Sequence, residues 1–191
     1  MPTSDTRRLF FALWPGPDVS ARLATAARQV LALCGGRVMR RESLHLTLVF
    51  IGDVAESGVE ILRRAASRVS GEAFALSLDR LGCWRHNGIV WAGCAASPPL
   101  IGLVGQLAGN LSGSGVQLET RDFAAHLTLL RNARCADLPA FEAIEWPVAE
   151  FVLVESRRSA AVAGYDIIGR WPLAPVAPEV SKAPIAPPER S

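Results

Sequence analysis

The chain alternates short apolar runs with longer stretches whose apolar residues recur every three or four positions. Arg8-Leu-Phe-Phe-Ala-Leu-Trp14 is a short, aromatic-rich run stopped by Pro15-Gly16-Pro17, which predicts a buried strand. From Asp18, a candidate N-cap, residues Leu23, Ala27, Val30 and Leu31 keep helical spacing. They predict a helix through about Leu33 that Gly35-Gly36 ends. Leu44 to Ile51 reads as a strand followed by a Gly52-Asp53 turn. Glu56 to about Val69 reads as a second amphipathic helix carrying Val59, Leu62, Ala66 and Val69. Phe74 to Cys83 and Ile89 to Ala95 flank His86-Asn87-Gly88, and Asn-Gly between two apolar runs predicts a hairpin. Pro98-Pro99 opens a third helix, about Leu100 to Leu111, which Gly113-Ser114-Gly115 breaks. Further strands are expected at Ala125 to Leu130, Val148 to Glu155 and Ala161 to Ile168.

Strands mixed with helices and a hairpin predict an α+β fold with largely antiparallel sheets rather than a strict βαβ wind. The length of 191 residues suits one domain, expected over residues 7–173. Residues 1–6 and the Ala- and Pro-rich stretch 174–191 are expected to be disordered, because they cannot bury enough apolar surface to offset ordering. Twenty basic against eighteen acidic side chains exclude a strongly basic protein that coats duplex nucleic acid non-specifically. No apolar stretch is long enough to span a membrane, and the opening residues predict no secretory signal. Cys34, Cys83, Cys94 and Cys135 form no C-x-x-C pair, so four free thiols in a reducing cytoplasm are expected. Dinucleotide-binding and P-loop motifs are absent from the sequence.

One internal echo carries chemistry. His45-Leu-Thr-Leu48 recurs as His126-Leu-Thr-Leu129, both in predicted strands on either side of the hairpin, which suggests two similar lobes. Side chains alternate faces along a strand, so Leu44, Leu46 and Leu48 point to a core while His45 and Thr47 share the other face. The same holds for Leu127 and Leu129 against His126 and Thr128. Residues two apart stand about 6–7 Å from each other, a span over which an imidazole and a hydroxyl both reach one phosphate-sized anion. Two such strands side by side suit phosphodiester hydrolysis without metal: one imidazole takes a proton from water, the other gives one to the departing oxygen. The threonine hydroxyls donate to the non-bridging oxygens, where charge gathers. Imidazole also binds zinc, but Asp53 and Asp122 are the nearest acids in sequence and supply no obvious ligand set. His86 reads as an exposed turn residue.

Two H-x-T-x motifs roughly eighty residues apart resemble the two-histidine (2H) phosphoesterase superfamily, and within it the RNA 2′,3′-cyclic phosphodiesterases, also called the 2′-5′ RNA ligase family. The similarity runs to about Leu173. It takes in Arg8-Leu-Phe-Phe-Ala-Leu13, Glu42 to Asp53, Gly88 to Gly93, Phe123 to Arg131 and Trp171-Pro-Leu173. It implies a bilobal fold in which two antiparallel sheets with pseudo-twofold symmetry flank a central cleft, helices outside. It implies opening of a terminal RNA 2′,3′-cyclic phosphate, or of a small cyclic nucleotide, to a 2′-phosphate without metal or cofactor. His45 is then the proton donor, His126 the acceptor, and Thr47 and Thr128 hold the phosphate. Reversible 2′-5′ ligation shares the same transition state. A cytoplasmic monomer with no membrane partner is expected. The family often has Phe-Arg-Pro-His before its second motif, where this chain has Phe123-Ala-Ala-His126. A cation from Arg121, Arg131 or Arg41 is the expected substitute. Arg131 and Phe50 match family positions for phosphate contact and base stacking, yet strand parity puts both on the leucine face unless a bulge intervenes. An RNA-end or phosphate-binding module without turnover is the alternative reading.

Overall fold

The computed structural model describes residues 6–95, 97–119, 122–158 and 163–176. Along the chain run β1 (Thr6–Leu13), α1 (Pro17–Cys34), β2 (Arg37–Val38), a 3₁₀ turn (Arg41–Ser43), β3 (Leu46–Ala55), α2 (Glu56–Ala66), β4 (Phe74–Leu78), β5 (Arg80–Trp84) and β6 (Ile89–Gly93). They are followed by α3 (Pro98–Gly113), β7 (His126–Arg131), β8 (Ile144–Val148), β9 (Glu150–Arg158) and β10 (Ala163–Pro172).

The apolar run of β1 is unbroken because the strand is covered on both faces. Leu9, Phe11 and Leu13 enter the main core, whereas Phe10 and Ala12 join Val152 and Val154 of β9 in a second cluster on the opposite face. Among the described residues two antiparallel sheets form, giving the α+β class. The larger has the order β10-β9-β1-β3-β7-β6-β5, with β2 also on β7, and the smaller pairs β4 with β8. The larger sheet consists of two halves, β10-β9-β1-β3 and β2-β7-β6-β5, which meet at one residue pair, Leu46↔Leu127. The core lies on one side of this sheet, where buried residues of α1, α2, α3 and the small sheet pack against it. No described helix is long and apolar enough to cross a membrane.

Several expectations change. The run Phe74 to Cys83 is two strands, not one. Asp79 interrupts it; Leu76 and Leu78 go to the core beside Ile144, Trp146 and Val148 of β8, and only β5 makes the hairpin with β6 across the Arg85–Gly88 turn. Gly16, not Asp18, caps α1, with Pro17 at its first position, where the missing N–H is no loss. Thr6 opens β1. Ala174 is tied to the chain: Ala73 N–H donates to its carbonyl (2.7 Å) and its own N–H donates to Gly71 (2.8 Å). Residues 1–5 and 177–191, the rest of the two expected extensions, lie outside the described residues. Four free thiols are not found: Cys34 and Cys135 form a disulfide, leaving Cys83 and Cys94 free. The partners are 101 residues apart in sequence, so no local spacing announces them. Pairing of β2 with β7 and donation by Arg134 N–H to the Cys34 carbonyl (2.8 Å) bring them together.

Candidate active site

The pair that joins the two halves of the sheet is the middle residue of each His-Leu-Thr. Leu46 and Leu127 are fully buried in the core. Alternation therefore carries His45, Thr47, His126 and Thr128 to the opposite face, all four half-buried. Antiparallel order sets His45 against Thr128 and Thr47 against His126 across the seam.

Both imidazoles are anchored alike. His45 Nδ1 lies 2.8 Å from the carbonyl oxygen of Ser43, and His126 Nδ1 lies 2.7 Å from that of Ala124, each two residues upstream. A carbonyl only accepts, so Nδ1 carries the hydrogen in both rings and Nε2 is the nitrogen that can exchange a proton with substrate. Their surroundings differ. Trp14 stacks on His45 (centroids 5.3 Å apart, 7° between planes), Phe10 lies at 4.9 Å and Tyr165 meets it edge-on at 5.0 Å. This burial pushes the His45 pKa down to about 4. The hydrogen bond to Ser43 opposes the shift, while the charges of His126 and Arg131 add to it. His126 meets Trp84 edge-on at 4.5 Å.

Parity fails for Phe50 and Arg131, and for one reason. Thr47 pairs with Ala12 but Val49 with Phe11, so Leu48 is an extra residue; Thr128 pairs with Trp91 but Leu130 with Val90, so Leu129 is another. Each bulge lets two successive residues, Leu48-Val49 and Leu129-Leu130, enter the core and turns the next side chain to the histidine face. Phe50 and Arg131, each five residues after its histidine, are the side chains so turned. Phe50 packs on the Phe10 cluster, with the Arg8 guanidinium 4.7 Å over its ring. Arg131 is exposed and close enough to His45 to act on it electrostatically. Arg41 is committed elsewhere: its Nε donates to Ser20 Oγ at 2.9 Å and a second nitrogen to the Pro17 carbonyl. Arg121 lies outside the described residues. His86 is exposed on its turn, and Asp53 pairs with Arg8 at 3.6 Å. Among the described residues no group of three His, Cys, Asp or Glu could hold a metal ion.

Phe10, Trp14, Tyr165 and Trp84, which surround the imidazoles, were not legible as site residues, because an aromatic on a strand reads first as core. The alternation of Phe10, Ala12 and Trp14 against Leu9, Phe11 and Leu13 was the available signal. Past the Leu46↔Leu127 pair no ladder joins β3 to β7. A cavity of about 540 Å³ opens there, lined by Thr47, Phe50, Trp84, Phe123 and His126 among others, with Val104 of α3.

Two His-x-Thr pairs face one another across the sheet seam, the arrangement that the resemblance to two-histidine phosphoesterases implies. Residues 13–91 match the family model described as LigT like Phosphoesterase. A relative from Escherichia coli (strain K12), named RNA 2′,3′-cyclic phosphodiesterase, is 31% identical over 173 residues, covering 89% of this chain and 98% of its own. A relative of the same name from Archaeoglobus fulgidus is 27% identical over 130 residues, 66% of this chain and 73% of its own. The crystal structure of E. coli LigT complexed with 3′-AMP superposes with a TM-score of 0.80 at 31% identity, covering 88% of this chain and 99% of that one. The chain belongs to the LigT-like phosphoesterase family.

Proposed function

We propose that residues 7–173 act as one domain that opens the 2′,3′-cyclic phosphate at the end of an RNA to a 2′-phosphate. The observation that carries this is the matched anchoring of two imidazoles, Nδ1 on a main-chain carbonyl in each, across a one-pair seam with a threonine beside each. The names of the relatives point the same way. His126 Nε2 takes a proton from water as the water oxygen bonds to phosphorus. The bond from phosphorus to O3′ breaks, and His45 delivers its Nε2 proton to O3′. Thr47 and Thr128 donate to the non-bridging oxygens, where charge accumulates. Arg131 supplies the positive charge that the Ala124-Ala125 sequence lacks, and Phe50 offers a ring face for a base. The two imidazoles handle both proton transfers, so the step is written without metal. Both motifs come from one chain, so the site is complete in a monomer.

The test uses a short RNA ending in a 2′,3′-cyclic phosphate, with EDTA present, and follows the end group by phosphorus NMR. A 2′-phosphate is expected from the wild type, with losses of at least about 10²-fold in His45→Ala and His126→Ala. Tight binding without product, or full activity in either variant, refutes the mechanism. The RNA substrate argues for a cytoplasmic setting. The Cys34–Cys135 disulfide, uncommon in a reducing cytoplasm, argues against it. Thiol trapping in intact cells decides which holds.

A further inference from the structure

The cavity beside the seam is larger than a phosphate requires and lies to one side of the four motif residues. It touches Thr47 and His126, which face each other, and is not lined by His45 or Thr128. Its volume of about 540 Å³ is in the usual range of small-molecule sites, roughly 300–1,000 Å³. Two of its walls are aromatic. Trp84 stands edge-on to His126, and Phe50 carries Arg8 over one ring face while lining the cavity itself. Its lining also includes the polar side chains of Asn87, Glu119 and Asp122. Among the described residues no ion pair or hydrogen bond engages the Asp122 carboxylate.

This chemistry sorts the parts of an RNA end. Aromatic walls with the Asp122 carboxylate among the lining suit a nucleobase. A base is neutral, stacks on aromatic faces, and can donate hydrogen bonds to carboxylates. We propose that the cavity takes the base of the terminal nucleotide and that Asp122 selects guanine. Guanine presents N1–H and N2–H₂ from one edge, two donors that one carboxylate accepts together. Uracil offers one N–H between two carbonyl oxygens, which a carboxylate repels. Adenine and cytosine, each with one exocyclic amine, fall between. The proposal rests on the cyclic phosphodiesterase reading and adds the identity of the end it prefers.

The test measures kcat/KM for 2′,3′-cyclic GMP, AMP, CMP and UMP with wild type and Asp122→Asn. In the wild type, cyclic GMP should exceed cyclic UMP by at least about fivefold, the low end for a paired base contact. The ratio should fall toward one in Asp122→Asn. A ratio is independent of the fraction of folded enzyme, and the wild-type comparison stands even if a variant does not fold. Equal rates on all four nucleotides overturn the proposal while leaving the hydrolase reading intact. An undiminished preference for cyclic GMP in Asp122→Asn overturns the assignment to that carboxylate. No turnover of any of the four, or of a cyclic-phosphate RNA, removes the hydrolase reading and this proposal with it.

Discussion

His45 is assigned the role of proton donor, yet its place among Trp14, Phe10 and Tyr165 favours the neutral ring. Its pKa of about 4 is some 2.5 units under the ordinary 6.5, and at 1.36 kcal/mol per unit the charged form is disfavoured by about 3 kcal/mol. The unfolded chain binds this proton below about pH 6.5 and the folded protein only below about 4. Between those values unfolding takes up a proton, so stability falls as pH drops through that window, by up to about 3 kcal/mol, and this group adds no further loss below it. Substrate reverses the balance. A phosphodiester anion about 4 Å away at an effective dielectric of 20 favours the imidazolium by about 4 kcal/mol, or roughly three pKa units. Bound phosphate is therefore expected to restore the proton that the proposed acid role of His45 needs. The assay is a pH titration of ¹³C-labelled histidine in the empty protein and with a saturating nucleoside 2′-monophosphate, the product class of the proposed reaction. Urea midpoints of wild type and His45→Gln at pH 7, 5 and 4 run alongside. His45 is expected near 4 when empty and near neutrality when the phosphate is bound, with the stability loss between pH 6.5 and 4 absent from His45→Gln. A free-protein value at or above 6.5 refutes the burial argument. No rise with ligand refutes His45 as the acid and reverses the two roles.

Replacing Arg131 by alanine should weaken phosphate binding about five- to tenfold, a discounted value for an exposed charged donor, and raise the His45 pKa. Inhibition by inorganic phosphate and the same NMR titration check both parts, and an unchanged His45 would show that the bulge does not bring the guanidinium near. Reducing the Cys34–Cys135 disulfide, or replacing Cys135 by serine, should lower stability by about 2–4 kcal/mol; the chain-entropy limit for a loop of 101 residues is about 4.7 kcal/mol. Equal urea midpoints with and without reductant would contradict this. A Cβ at Gly82 would stand 2.0–2.5 Å from three atoms of the Trp91 indole, so Gly82→Ala should cost about 1–3 kcal/mol by displacing the ring beside Thr128. A thermal melt that does not move would mean the indole has another place to lie.

Strand periodicity and the repeated His-Leu-Thr determined, without coordinates, the α+β class, the buried leucines of both motifs and the common face of their histidines and threonines. These are local properties: a period of two sorts side chains wherever a strand forms. Only the tertiary structure decided what lies beyond one strand. It put Leu46 opposite Leu127, closed the Cys34–Cys135 pair across 101 residues, and moved Phe74–Leu78 into a different sheet. It also brought Phe10 of β1, Trp14 just after that strand and Tyr165 of β10 onto His45. Phe50 and Arg131 show where the boundary falls. Parity alone sends both to the core, and it is right until a neighbouring strand accommodates an extra leucine. A bulge is a property of the pair of strands, written in neither sequence by itself, and here it turns both residues toward the site.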